Sequence, residues 1–439
     1  MAIIYQQSLF SWKEIENLGD LERLQLVINN LPDEKLMTVL ESSRANGRND
    51  HSIRAMWNSL LAGIVYQHPS IESLRRELKR NPMLRELCGF DPMKKAKALP
   101  SKSAYSRFLA KLIKHQDLIQ EIFDSLVERL RTILPNFGNE VAFDSKPISS
   151  LSSRLGKKSE DQRGEHDADW GVKKYSGMRE DGTAWEKTKS WFGFKLHLIV
   201  DANYELPIAM SLTKASTSDV KEMPAIFEQM KCTHPEILKA CEHGIGDKGY
   251  DSSTFISNLW DEHKIKAIID IRNMSKDGEK TRSFSNYKFH NMSYDHQGNV
   301  FCHCVKTGDV KKMAFGGFEG DREALKYLCP SAHYGCECKC VSKCPLRTGV
   351  RVPLDENRRV FTPVARSSYK WKKIYNKRSS VERVNSRIHT SFGFEKHYIR
   401  GYEKMRTRCC LSLCVMLTIA YGRALDNEHK MMRSLVQAA

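Results

Sequence analysis

The sequence has no acidic excess, no long hydrophobic run and no internal repeat. Asp plus Glu number 53 against 70 Lys plus Arg, a formal net charge of +17. That balance argues against a basic partner and for a polyanion. The longest mainly apolar run, Cys409 to Tyr421, holds 13 residues, short of the ~20 that cross a bilayer. MAIIYQQSLFSW lacks the basic segment ahead of an apolar stretch that opens a signal peptide. The expectation is a soluble cytoplasmic protein with no membrane partner. Thirteen cysteines are an odd count, which argues against a disulfide framework and for reduced thiols, some of them available to metal. The apolar fraction of 41% is ordinary for a globular chain, and 439 residues make room for two or three domains.

The first 135 residues read as a helical module. Ile53, Met56, Trp57, Leu60, Leu61, Ile64 and Val65 recur on one helical face, and a basic helix begins at Ser70. Two more follow from about Ser103 and Asp117, the last stopping at Pro135. From 136 to 272 the apolar period shortens to alternation, as in Phe192, Phe194, Leu196 and Leu198, and strands then alternate with helices. This predicts an α/β fold, a mixed sheet flanked by helices, interrupted by a polar loop over 149–190. Residues 273–365 hold seven of the thirteen cysteines and read as a β insertion. Residues 366–439 hold 16 Lys plus Arg and 5 Asp plus Glu, hence +11 of the net charge. They open on a segment, SSYKWKKIYNKRSSVERVNSRIHTSFGF, that reads as a long basic helix.

Three acids stand out. Asp144 follows the apolar strand VAF, Asp247 ends a strand and opens DKGYDS, and Glu382 lies in the basic helix. Carboxylates at strand ends are displayed where a sheet opens to solvent, and three of them suit two hard divalent cations, Mg²⁺ or Mn²⁺. Taken singly, Asp144 and Glu382 are better explained as a turn acid, a cap or an ion-pair partner. Rivals are Asp251, explained by an N-cap, Asp201, by a turn, and Asp270, by alternation within a strand. Tyr375, Arg378, Glu382 and His389 follow the order Tyr, two residues, Arg, three residues, Glu, six residues, His, and on a helix the first three share one face.

With these motifs in place, the chain resembles bacterial insertion-sequence transposases of the DDE type, whose catalytic core is RNase H-like. HSIRAMWNSLLAGIVYQHPSIESLRRELKRNPMLRELCGF with LPSKSAYSRFLAKL is similar to the family's N-terminal domain, FDSKPI to its first-acid strand, GDKGYDS to its second, and YNKRSSVERVNSR to its Glu helix. The resemblance implies that Asp144, Asp247 and Glu382 bind the catalytic metals and that Tyr375 and Arg378 contact DNA phosphate. His389 stands where the family's signature has Lys. Implied too are a bacterial, nucleoid-associated enzyme that cleaves and joins double-stranded DNA at terminal inverted repeats and target sites, a dimer in the DNA complex, a helical module that binds element ends, and a β insertion ahead of the Glu helix. An RNase H-like nuclease that cuts without joining, or a regulatory DNA-binding protein without catalysis, are the alternatives.

Lys372, Lys373, Lys377, Arg383 and Arg387 crowd around Glu382 and are expected along the DNA backbone, because like charges three and four residues apart repel unless neutralised. In the insertion, Cys302, Cys304, Cys329, Cys338 and Cys344 are a pool from which four zinc ligands could come. A reduced Cys-rich subdomain is the plain alternative. Trp170, Trp185 and Trp191 sit among Lys173, Lys174, Lys187 and Lys189, a pattern that suits base stacking beside phosphate contacts or simple anchoring of the loop, the second being preferred for Trp191.

Overall fold

The computed structural model describes residues 21–435 except 45–49, 92, 152–164, 180, 182, 273–278, 286–290, 305, 340–341, 343 and 395. Among the described residues the first seven α-helices are α1 (Glu22–Asn30), α2 (Glu34–Ser42), α3 (Ile53–Val65), α4 (Ile71–Arg80), α5 (Pro82–Cys88), α6 (Lys102–Ile113) and α7 (Gln116–Ile133). Their starts follow local chemistry. Ser52, Ser70, Asn81 and Ser101 each accept a hydrogen bond from the backbone N–H three residues on, which satisfies a donor the helix cannot. The basic helix α4 buries Leu74 and Leu78 and turns its charges outward.

The sheet begins at Glu140. Strands β1 (Glu140–Ser149), β2 (Asp169–Met178), β3 (Ala184–Asp201) and β4 (Pro207–Lys214) are antiparallel neighbours around β3. Helices α8 (Asp219–Thr233) and α9 (Pro235–Ala240) lead to β5 (His243–Gly246), then α10 (Ser253–Asp261) leads to β6 (Lys266–Ile269). β5 lies parallel to β1 and β6 parallel to β5. This is the mixed sheet flanked by helices that the alternation predicts. Apolar side chains of the seven helices, the sheet and the C-terminal helix form one continuous core, so position 135 marks a change of secondary structure within shared packing.

Residues 149–190 differ from expectation. Instead of a polar loop, their described part contains β2 and the outer half of β3, paired from Asp169↔Gly193 to Met178↔Ala184. β1 leaves β3 at Ser149↔Gly193, so beyond that pair the two strands run on as a ribbon. Gly193 is the pivot: a Cβ there would lie 2.2 Å from the Ile148 carbonyl oxygen.

Residues after β6 build two small sheets: β7 (Thr281–Ser283), β8 (Met292–Asp295), β9 (Val300–His303) and β10 (Val310–Lys312) in one; β11 (Ala314–Glu319), β12 (Ala324–Leu328) and β13 (Val350–Pro353) in the other. They share a separate core built on Tyr294, Val300, Tyr327, Val352 and Phe361. A short helix α11 (Pro330–Tyr334) follows β12.

The predicted long basic helix is two helices. α12 (Tyr369–Tyr375) ends in a 3₁₀ turn, Asn376–Arg378, before α13 (Ser379–Ser391). The tighter turn changes the facing of successive side chains and lets Lys377 reach Glu140 and Asn203 of the sheet. α14 (Tyr402–Leu425) is long and apolar enough by length and composition to cross a membrane, but 78% of its apolar window is buried, against α7, α1 and α3. The apolar run from Cys409 to Tyr421 thus belongs to a core helix.

Candidate active site

The parallel pairing of β1 with β5 places two acids side by side. The last paired residues are Ala142 and Ile245, and Asp144 and Asp247 each lie two residues further along. Asp144 is not the last residue of its strand, as expected, because β1 continues to Ser149 against β3. It is instead at the point where β1 loses its parallel neighbour, which leaves that flank open. Asp247 follows β5 and caps the 3₁₀ turn Lys248–Tyr250, accepting from the Gly249 N–H at 2.7 Å.

α13 brings Glu382 into a cleft shared with Asp144; Asp247 is not among that cleft's lining residues. A cleft of about 300 Å³ is lined by Asp144, Lys146, Lys173, Lys189, Trp191, Glu382, Asn385 and His389 among others. Asn385 donates to Asp144 Oδ2 at 3.3 Å, tying the helix to the strand. Burial pushes the Asp144 carboxyl up to about 6; Lys173 and the Ser145 N–H oppose the rise, and Asp247 and Asp219 add to it. Glu382 is held by Arg378 at 2.7 Å and its side chain remains half exposed. Arg378 in turn lies over the Tyr375 ring, 5.9 Å from its centroid. Tyr375 and Glu382 therefore do not share one helix, yet both touch Arg378.

Several residues expected along the DNA backbone have partners within the chain. Glu382 is not the only counter-charge of the basic segment. Glu205, buried at the β3–β4 turn, accepts from Arg383 at 2.7 Å and Arg387 at 3.0 Å, and Arg433 joins it at 3.0 Å. Burial lowers the Arg387 guanidinium to about 10, so this side chain holds the helix to the sheet. Lys377 is paired with Glu140. Lys372 and Lys373 are exposed. Among the rival acids, Asp251 does not cap α10: its carboxylate is paired with Arg359 and accepts from the Arg272 N–H at 2.8 Å. Asp270 lies just beyond β6 and accepts from the Ile271 N–H, while Asp201 accepts from the N–H groups of Asn203 and Tyr204 within its turn and from the distant Gly138 N–H. Sequence reasoning missed Asn385 and Lys146, and it marked Lys173 and Lys189 only as part of a loop, not as a wall of this cleft. The acid-strand motif contains Lys146, but no pattern marks Asn385.

The insertion gathers its thiols. Cys302, Cys304, Cys329, Cys338 and Cys344 line one small cavity of about 30 Å³ with His303 and Asp309. Burial raises the Cys302 thiol above its ordinary range, and Cys329, Cys344 and Cys338 add to that rise. Among the described residues no three His, Cys, Asp or Glu side chains already stand as a metal cluster, here or at the acid cleft.

Comparison with known proteins identifies the family. Residues 136–418 match the family model of the transposase DDE domain, and residues 12–111 match a second model described as a transposase domain. The first spans more than half of the chain, so the chain belongs to the DDE transposases. It is a DNA transposase, an enzyme that cleaves and joins DNA, and members of the family generally use divalent metal ions. Among curated proteins none matches. Among solved structures, the piggyBac transposase synaptic complex with hairpin DNA is similar over 96% of this chain and 86% of that one, at 11% identity and a TM-score of 0.30, a likeness too distant to carry an argument.

Proposed function

We propose that Asp144, Asp247 and Glu382 form the catalytic triad of an insertion-sequence transposase and hold Mg²⁺ or Mn²⁺. The observation that carries this reading is that Asp144 and Asp247 each lie two residues past the last pair of two adjacent parallel strands, with Glu382 lining a cleft together with Asp144. The donor set fits: it consists of oxygens alone, which hard cations prefer, and a cation would relieve the cost of ionising Asp144 beside Asp247. Bound metals would act as Lewis acids on the attacking and leaving oxygens of the phosphodiester. Asn385 orients Asp144, and Arg378 holds Glu382 until a cation or phosphate competes for one of the two. Tyr375, Arg378 and His389 face the scissile phosphate, and the exposed Lys372 and Lys373 contact the flanking backbone.

The substrate is double-stranded DNA at the element's terminal repeats and then at the target, bound by a dimer in the bacterial cytoplasm on nucleoid DNA. Residues 1–135 assist in holding the ends, 136–272 and 366–439 form the catalytic core, and 273–365 are an insertion stiffened by zinc. Zinc is supported by the cavity that collects five cysteines, four of which suffice for a tetrahedral site; purified protein should contain about one zinc per chain, and metal analysis that finds none would leave a reduced thiol cluster. For the triad, Asp144→Ala, Asp247→Ala and Glu382→Ala should each abolish Mg²⁺-dependent cleavage of a terminal-repeat duplex while leaving its binding intact. Wild-type cleavage by any one of them removes that residue. Cleaved but never joined products from the unaltered protein would favour a nuclease.

A further inference from the structure

The β2–β3 ribbon has two chemically different faces. Cross-strand register puts Lys173 opposite Lys189 and Gly171 opposite Trp191, with Lys187 and then Trp185 further out on β3, all at alternate positions and so on one face. The other face carries Lys174, which is paired with Glu186 at 3.3 Å. Lys173, Lys187 and Lys189 have no ion-pair partner among the described residues, and like charges directly opposite in an antiparallel pair are destabilising. The two glycines of the basic face lie beneath indoles: a Cβ at position 171 would meet the Trp191 ring at 2.4 Å, and one at 177 the Trp185 ring at 2.7 Å. Trp191 is buried and donates from Nε1 to the Phe194 carbonyl at 3.1 Å, which anchors the base of the ribbon.

The basic face opens onto the acid cleft. Lys173, Lys189 and Trp191 line it together with Lys146 of β1. The cleft lining thus holds three lysines against two carboxylates, Asp144 and Glu382, a remaining positive charge that a phosphodiester would neutralise. From Gly193 to Ala184 the ribbon extends about 30 Å at ~3.3 Å per residue, the length of roughly nine base-pair rises of duplex DNA.

We propose that this face of the β2–β3 ribbon is a duplex-DNA backbone clamp: Lys173, Lys189 and Lys146 hold the phosphates next to the scissile one, and Lys187 holds the backbone further from the cleft. The wall also supplies, from the sheet side, lysine charge that α13 lacks at His389. The proposal rests on the reading of the acid cleft as the catalytic centre, but its test does not require cleavage.

The full-length protein is titrated with a fluorescent duplex of arbitrary sequence, and with its single strand, across a range of salt concentrations. Lys173→Gln, Lys187→Gln and Lys189→Gln combined should lower the slope of log affinity against log salt by roughly 2.7, about 0.9 per neutralised phosphate. Lys174→Gln on the opposite face should leave the slope at the wild-type value. An unchanged slope in the triple variant, or an equal fall for Lys174→Gln, overturns the clamp. Tighter binding of the single strand, lost with Trp185→Ala, overturns it in favour of base stacking. Should the triple variant fail to fold, lysine acetylation of the unaltered protein decides: duplex DNA should protect Lys173, Lys187 and Lys189 and spare Lys174, and equal protection of all four refutes the proposal. Normal cleavage by Asp144→Ala would overturn the triad while leaving these slopes untouched, so the two failures are distinguishable.

Discussion

Two clusters of basic side chains flank α13, and they differ in what neutralises them. On one side Arg383, Arg387 and Arg433 converge on the buried carboxylate of Glu205. On the other, Lys146, Lys173 and Lys189 border the cleft and face Asp144. The first cluster is internally paired, and the second carries an excess of positive charge beside the proposed catalytic acids. A count of basic residues along the chain does not separate them, because the acids that decide are distant in sequence.

The largest expected effect comes from removing the acid of the paired cluster. Glu205→Ala leaves Arg387 buried without its carboxylate and should destabilise the protein by about 3–5 kcal/mol, read as a fall in the denaturation midpoint. Glu205→Gln should recover part of that loss by accepting one of the hydrogen bonds. A loss below about 1 kcal/mol in Glu205→Ala would mean that the arginines are held by solvent and that the two clusters are alike.

Next in size is the acid of the cleft. The Asp144 carboxyl is raised from 3.8 to about 6 in the folded protein, so folding favours its protonated form. The sign follows: relative stability is greatest below about pH 4, declines as pH rises from about 4 to about 6, and stays lowered above. Two pKa units correspond to at most about 3 kcal/mol. Asp144→Asn should therefore raise the melting temperature at pH 8 and leave it unchanged near pH 3.5. Mg²⁺ should narrow the difference by stabilising only the unaltered protein. An Asn variant no more stable than wild type at pH 8 would place Asp144 in a solvated environment unlike the one described.

The smallest effect concerns the exposed lysines of α12. Reversing Lys372 and Lys373 to Glu should weaken DNA binding alike on every sequence and lower the salt slope by roughly one unit for each phosphate no longer neutralised. Reversal of Lys157 and Lys158 serves as the net-charge comparison, and equal slopes for the two pairs would remove α12 from the DNA surface.

What is legible in the sequence follows from the range of the interactions. Helices α3, α4, α6 and α7 follow apolar periods and local caps within a few residues, and the sheet follows alternation in Phe192 to Leu198. Asp144 and Asp247 are recognisable from short apolar strands and the family motifs. The ribbon is not, since strands exposed on both faces carry no apolar alternation, and their Lys, Ser and Thr residues read as loop. The pairing of Arg383 and Arg387 with Glu205 is not legible because Glu205 lies 178 and 182 residues away. Asp251 reads as a cap because Arg359 is 108 residues distant. Asn385 belongs to no chemical motif and is identified only by its bond to Asp144.

The central claim is that β1, β5 and α13 bring their acids to one metal site. Fe²⁺ with ascorbate generates hydroxyl radicals at a site that binds divalent cations, and these cut the polypeptide beside the ligands. With the full-length protein and a terminal-repeat duplex, a shared site predicts backbone cuts next to Asp144, Asp247 and Glu382, all suppressed by excess Mg²⁺. Cuts near Asp144 and Asp247 with none near Glu382, or cuts that Mg²⁺ leaves undiminished, would contradict it.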